Sequence, residues 1–298
     1  MGAFIFLAFG GALLATMFMG SNDDDSGEDL VPEGGDLEGT DGDDTLTMDD
    51  TETTPDMRGS LLDLGAGDDL SDGTGTGLFG AVHGGDGNDT ITGPDSWVGP
   101  GKPNGITDGI YGDAGDDEIT AVWETNVYGG DGNDTINYEL PYGAADGSTA
   151  VDGGDGDDLI RIDVTANDWT NAVPAANFTG GEGADEFEVN LTAPALPFPV
   201  AGVPEPGESY EAGTGIRMAD FTPGEDTFLV TISPEDGTNF LLAKTTTHSI
   251  TTSDGELRYF SDLTLSFSAT ATTPAYQTSI RFYDLQDLSM DDIRILVA

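Results

Sequence analysis

The chain has 298 residues, room for one large domain or two modest ones, and 37% hydrophobic residues supply a core, which excludes disorder throughout. Its 57 acidic residues against 8 basic ones set a net charge of −49, a surface that repels nucleic acid and anionic lipid headgroups. Cys is absent, so disulfides, zinc–thiolate sites and iron–sulfur clusters are excluded.

Residues 1–20, "MGAFIFLAFGGALLATMFMG", carry no charge and are about long enough to cross a bilayer as a helix. A basic stretch before the apolar run, usual in a cleavable signal peptide, is missing, so the expectation is a membrane-inserted or export-related segment. If the protein touches a membrane at all, it does so through these residues. The alternative is an apolar helix packed on the domain. Residues 21–38 read as an acidic linker beginning "SNDDDSGED", and no Lys or Arg precedes Arg58.

Residues 39–190 are organised by a repeat of the form G-G-x-G-x-D-x-U-x, with U apolar. It runs as "GTDGDDTLT" (39–47), "GGDGNDTIT" (84–92), "GDAGDDEIT" (112–120), "GGDGNDTIN" (129–137), "GGDGDDLIR" (153–161) and "GGEGADEFE" (180–188). A degraded copy, "LGAGDDLSD" at 64–72, has Leu for the first Gly and Ser71 in the apolar slot. Apolar residues two positions before five of these loops, Val82, Ile110, Val127, Val151 and Phe178, complete an alternation that marks each unit as strand, loop, strand. One unit exposes its edges and buries almost nothing, whereas stacked units bury an apolar ladder. The predicted fold is therefore all-β, a parallel β-roll or β-solenoid. Its inward ladder is Val82, Ile91, Ile110, Ile119, Val127, Ile136, Val151 and Ile160, ending with Phe178 and Phe187.

First positions at 84, 112, 129, 153 and 180 are unevenly spaced, which predicts one regular loop per coil on one side and variable excursions opposite. Trp97, Trp123 and Trp169 lie in or near those excursions, where they serve either a sugar or partner surface or the covering of the ladder's ends. Residues 191–215 are a Pro-rich connector. Residues 216–298 alternate as "TFLVTI", "ELRYF", "LTLSF", "SIRFY" and "IRILV", which predicts antiparallel strands in a β-rich C-terminal cap, with "GEDTF" at 224–228 as a worn eighth loop.

The loop chemistry points to calcium. A compact state with this self-repulsion needs cations. Glycine lets carbonyls approach an ion without a Cβ in the way, and the sixth-position Asp adds a carboxylate. An ion taking six to eight oxygens matches calcium better than magnesium, which demands strict octahedral geometry and retains water. Turn formation alone does not demand that Asp. One loop offers too few oxygens, so two successive loops share an ion, giving about six calcium ions for seven loops. The expected ligands are Asp44, Asp69, Asp89, Asp117, Asp134, Asp158 and Asp185, with Gly84, Asp86, Gly112, Gly129, Asp131, Gly153 and Asp155 as further members of the set. Asp69, in the degraded copy, is the weakest. Six divalent ions would bring −49 only to about −37, so their benefit is local: they bridge Asp rows one strand spacing apart.

These phrases resemble the RTX, or hemolysin-type, calcium-binding repeats of Gram-negative bacterial proteins, over residues 39–188. The resemblance implies a parallel β-roll that binds calcium between turns. It also implies export unfolded by the type I secretion machinery under an uncleaved C-terminal signal, and hence an extracellular or cell-surface location. "LSMDDIRILVA" at the C-terminus is similar to such signals in pairing acidic residues with an apolar tail, and "RMADFTPGEDTFLV" looks like the region that follows the repeats. Long, uneven insertions and the apolar N-terminus depart from the pattern.

Only His83 and His248 occur, neither in H-E-x-x-H, and no G-x-S-x-G elbow or P-loop appears. His83 reads as a strand residue beside its loop, His248 as an exposed strand position. The sequence therefore predicts a secreted or surface-attached, non-enzymatic calcium-binding protein. Its rigid scaffold suits an adhesin or matrix component with a cell-surface or polysaccharide partner. The alternative is a secreted hydrolase or lyase with a divergent active site in residues 190–298.

Overall fold

The computed structural model describes residues 27, 29–30, 36–47, 60–72, 80–93, 109–122, 125–141, 148–165, 175–193, 210–234, 239–268 and 275–298. The apolar segment 1–20, most of the linker and of the Pro-rich connector, and all three Trp lie outside these residues. Among the described residues no helix is long and apolar enough to cross a membrane.

Short alternating strands on either side of each Gly-rich turn pair coil to coil and form two parallel sheets, the expected parallel β-solenoid. The first sheet has ten strands, in the order Asp29–Leu30, Thr45–Thr47, Leu70–Asp72, Thr90–Thr92, Glu118–Val122, Thr135–Pro141, Leu159–Thr165, Glu186–Ala193, Thr227–Pro234 and Ile293–Val297. The second has eleven. From Leu37–Thr40 it passes through Leu61–Gly65, Ala81–Asp86, Gly109–Ala114, Asn126–Asp131, Ser148–Asp155, Ala175–Glu182, Tyr210–Met218 and Tyr276–Tyr283, and it finishes with Leu257–Phe267 and Phe240–Thr251.

Parallel register stacks like on like. On one wall the inward row runs Leu46, Ser71, Ile91, Ile119, Ile136, Ile160, Phe187, Phe228, Ile293. On the other it runs Leu62, Val82, Ile110, Val127, Val151, Phe178, Met218, Phe282. Every residue of the predicted ladder is buried except Val82, which is partly covered. Each such side chain contributes roughly 1.5–3 kcal/mol relative to exposure. Strands lengthen from three residues at Thr45–Thr47 to eight at Glu186–Ala193. The longer ones add a second buried row, Ala121, Tyr138, Ile162, Val189 and Val230, so the core thickens toward the C-terminus.

The C-terminal region is β-rich as expected, but its pairing differs from the antiparallel expectation. Tyr210–Met218, Thr227–Pro234, Tyr276–Tyr283 and Ile293–Val297 continue the parallel sheets as two further coils. Antiparallel pairing is confined to the hairpin Phe240–Thr251 and Leu257–Phe267 and its junction with Tyr276–Tyr283. The reason is the open end of the parallel ladder: Phe187 and Phe178 are covered only when Phe228 and Met218 stack on them. Phe221, Phe228 and Phe282 then close the core edge to face, with centroids 5.0–6.0 Å apart.

Successive coils approach closely at a turn position that most repeats give to glycine, although Asp113 takes the same left-handed backbone, φ +74°, in one coil. Gly154 has φ +120°, and a Cβ there would fall on the Gly130 carbonyl oxygen of the preceding coil. Gly154→Ala is expected to cost on the order of 3 kcal/mol or more, from backbone strain plus the clash. Thermal denaturation against the parent chain, both in calcium, checks this.

Candidate metal centre

The turns place the sixth-position aspartates in one buried column. Asp44, Asp69, Asp89, Asp117, Asp134, Asp158 and Asp185 are each 3% exposed or less. From Asp69 on, each Oδ1 accepts the backbone N–H of its counterpart one coil earlier. Asp44 donates to Asp69 at 2.6 Å, Asp69 to Asp89 at 2.8 Å, Asp89 to Asp117 at 2.7 Å and Asp117 to Asp134 at 2.9 Å. Asp134 then donates to Asp158 at 2.7 Å and Asp158 to Asp185 at 3.0 Å. These contacts link residues 17 to 28 apart, so the uneven spacing in sequence becomes uniform spacing in the stack.

The other carboxylate oxygen is different. Oδ2 of Asp69, Asp89, Asp117, Asp134 and Asp158 is buried and has no hydrogen-bond partner. First-position glycines make room for it. A Cβ on Gly84 would meet Asp89 Oδ2 and the Gly112 carbonyl oxygen of the next coil. The same holds at Gly112 with Asp117 Oδ2 and Gly129 O, at Gly129 with Asp134 Oδ2 and Gly153 O, and at Gly153 with Asp158 Oδ2 and Gly180 O. Each of these four glycines thus lines a cradle in which an unpartnered carboxylate oxygen faces a carbonyl across the coil boundary. In a native protein such buried, unsatisfied atoms call for an explanation.

Burial disfavours the charged form of these carboxyls, and neighbouring acids add to it. Burial pushes Asp117 up to about 7, aided by the charges of Asp134, Asp89 and Asp113 and opposed by the hydrogen bond from the Asp89 N–H. Asp158 also rises to about 7, from burial and then the Asp134, Asp185 and Asp152 charges, against the hydrogen bond from Asp134. Asp69, Asp89, Asp134 and Asp185 rise to about 6, chiefly through burial. An all-oxygen donor set of this kind, whose charged form burial and crowding disfavour until a cation compensates it, suits a hard divalent cation.

The ends of the column differ from its middle. At the N-terminal end Asp44 Oδ2 accepts from the Thr40 N–H and hydroxyl, because Thr40 stands where most repeats have a second glycine. In the degraded copy Leu64 is buried and carries the Cβ that the glycines omit, although Asp69 keeps the column's hydrogen bonds and Ser71 stays in the inward row. At the C-terminal end Asp226 Oδ1 accepts from Asp185 N–H at 3.1 Å, while Asp220 accepts from the Gly180 and Gly181 N–H groups. "GEDTF" is thus the last turn of the column.

Sequence reasoning missed Asp220 and a second column. Fifth-position side chains accept from the next coil, in the sense opposite to the aspartates: Asp43 from Asp68, Asp68 from Asn88, Asn88 from Asp116, Asp116 from Asn133, Asn133 from Asp157 and Asp157 from Ala184. The signal was present, since only Asp and Asn occupy that slot in the first six copies. From Asp68 on, Asp and Asn alternate along it. Charges then recur every second coil, about 9.5 Å apart, beyond the roughly 8 Å screening length at physiological salt.

Among the remaining expected ligands, Gly84, Gly112, Gly129 and Gly153 line the cradles. Asp86, Asp131 and Asp155 stand beside them in the same turns. Their side chains are exposed, and their carbonyls accept from Gly67, Gly115 and Gly132 in the loop ladder. Among the described residues no three His, Cys, Asp or Glu side chains converge on one point, so coordination here would rest on carbonyls and the sixth-position aspartates. His83 lies on its strand, 2.8 Å from Asp113 Oδ2 and stacked on Tyr111. His248 is exposed on its strand and stacks on Phe260. The chain matches no protein-family model, no curated protein and no solved structure.

Proposed function

We propose that the protein is a calcium-binding β-solenoid that folds on calcium outside the cell and serves as a non-catalytic structural or adhesive rod. The observation that carries this reading is the buried row of Oδ2 atoms without partners, in cradles that a single Cβ would fill. Calcium bound there would supply the positive charge that lets neighbouring aspartates stay ionised one coil apart. Asp89, Asp117, Asp134 and Asp158, with the carbonyls of Gly112, Gly129, Gly153 and Gly180, would hold it. The six ions expected from loop counting thus reduce to four positions with both donors, because Thr40 satisfies Asp44, Leu64 fills the degraded turn and the column ends beyond Asp185. Glycines keep each position open, and the Oδ1 hydrogen bonds hold the carboxylates in line. Secretion through the type I machinery, and a surface or polysaccharide partner, belong to the same proposal.

Calcium titration of two single variants tests it. Asp134→Ala, in the middle of the column, should raise the calcium midpoint about tenfold or more, whereas Asp44→Ala, whose Oδ2 is already partnered, should leave it nearly unchanged. Equal midpoints for the two variants would overturn the assignment.

A further inference from the structure

The second sheet stops at Phe240–Thr251. One edge of this strand pairs antiparallel with Leu257–Phe267, and its other edge has no strand beside it among the described residues. Twelve residues of open edge present a long row of backbone donors and acceptors, a template for another strand. Edges of this length are ordinarily guarded by charge, proline or strong bulging. Here the strand has no acidic residue and no proline, its one register shift lies between Phe240 and Leu242, and Lys244 and His248 are its only ionisable side chains. Leu241, Leu242 and Ile250 are 61%, 57% and 51% exposed.

The strand is self-complementary about Thr246. Antiparallel pairing with a second copy sets Thr246 against its own counterpart, Thr245 against Thr247 and Lys244 against His248, and it sets exposed Leu242 against exposed Ile250. Leu242, Lys244, Thr246, His248 and Ile250 alternate onto one face, so the apolar pair stands beside the polar one.

Charge favours the same place. Two chains of −49 repel over most of their surfaces, yet Arg217, Lys244, Arg258, Arg281 and Arg294, five of the eight basic residues, lie in residues 216–298. Strand direction helps further. Phe240–Thr251 runs the same way as the coil strands of its sheet that lead into the acidic turns. Antiparallel joining therefore puts the turn columns of the two copies on opposite edges of the joined sheet.

We infer that Phe240–Thr251 is a dimerisation edge: a second copy adds the same strand antiparallel across a two-fold axis at Thr246, making an isologous interface that closes at two. This inference does not depend on what the turns bind.

Absence of Cys makes the test direct. The full chain is studied in calcium-containing buffer, with circular dichroism on the same samples to separate loss of the interface from loss of the fold. The parent chain should sediment at twice its 30.9 kDa mass. Under mild oxidation Thr246→Cys should cross-link to a dimer, whereas Thr264→Cys, on the same face one strand further in, should not. Leu242→Lys combined with Ile250→Lys should leave the spectrum unchanged and halve the sedimenting mass. A parent chain that stays monomeric up to about 100 μM, open-ended fibres, or cross-linking at Thr264→Cys as efficient as at Thr246→Cys would overturn the inference.

Discussion

Removal of calcium from the folded protein should abolish most of its β-structure by circular dichroism, and returning calcium to about millimolar, the range of extracellular modules, should restore it. The expectation follows from the column. Asp89, Asp117, Asp134 and Asp158 each bury an oxygen that no protein group satisfies, and leaving such a charge uncompensated costs several kcal/mol per site. A domain whose net stability is about 5–15 kcal/mol does not survive several such penalties at neutral pH. Loss should begin in the N-terminal coils, where strands such as Thr45–Thr47 and Leu70–Asp72 have three residues and bury a single inward side chain each. Magnesium should not substitute, because it keeps its water and an octahedral shell. An identical spectrum with and without chelator would overturn the reading.

The second large effect is a reversal of pH dependence. In the folded, metal-free chain, burial holds the Asp117 and Asp158 carboxyls up to about 7 and those of Asp69, Asp89, Asp134 and Asp185 up to about 6, against an ordinary 3.8 once unfolded. Between about pH 4 and 7 the folded state therefore binds more protons than the unfolded one, and stability falls as pH rises through that window. With calcium the sign inverts, since the ion requires the deprotonated carboxylate and its affinity climbs with pH. Raising the pH from 5 to 7.5 should thus raise the denaturant midpoint of the calcium-loaded protein and, in chelator, lower the β-structure that circular dichroism records. Asp117→Asn sharpens the test: it keeps the acceptor for the Asp89 N–H and removes the charge. In chelator at pH 7.5 the variant should retain more β-structure than the parent chain, while calcium binds more weakly. A shift of the same sign in both conditions would contradict the site as described.

Much of this architecture is legible in the chain. The recurring sixth-position Asp and the apolar residues flanking each loop predict the turn column and both inward rows, because strand alternation has a period of two and repetition leaves stacking as the way to bury it. Reading the loops as glycine for space and Asp for charge also places Gly84, Gly112, Gly129 and Gly153 at the cradles before any coordinate is known.

Tertiary structure decided the rest. Alternation in "TFLVTI" or "IRILV" is the same whether a strand pairs parallel or antiparallel, so only the open end of the ladder, waiting beside Phe178 and Phe187, made those segments further coils. Which aspartate oxygen finds a partner likewise depends on contacts between residues 17 to 28 apart along the chain. Thr40, Leu64 and Asp220 change the column's ends through neighbours that no local pattern announces. Composition and repetition thus determined what each turn carries, while stacking determined which oxygens stay unpaired, because hydrogen-bond satisfaction is a property of the coil above and the coil below rather than of the loop itself.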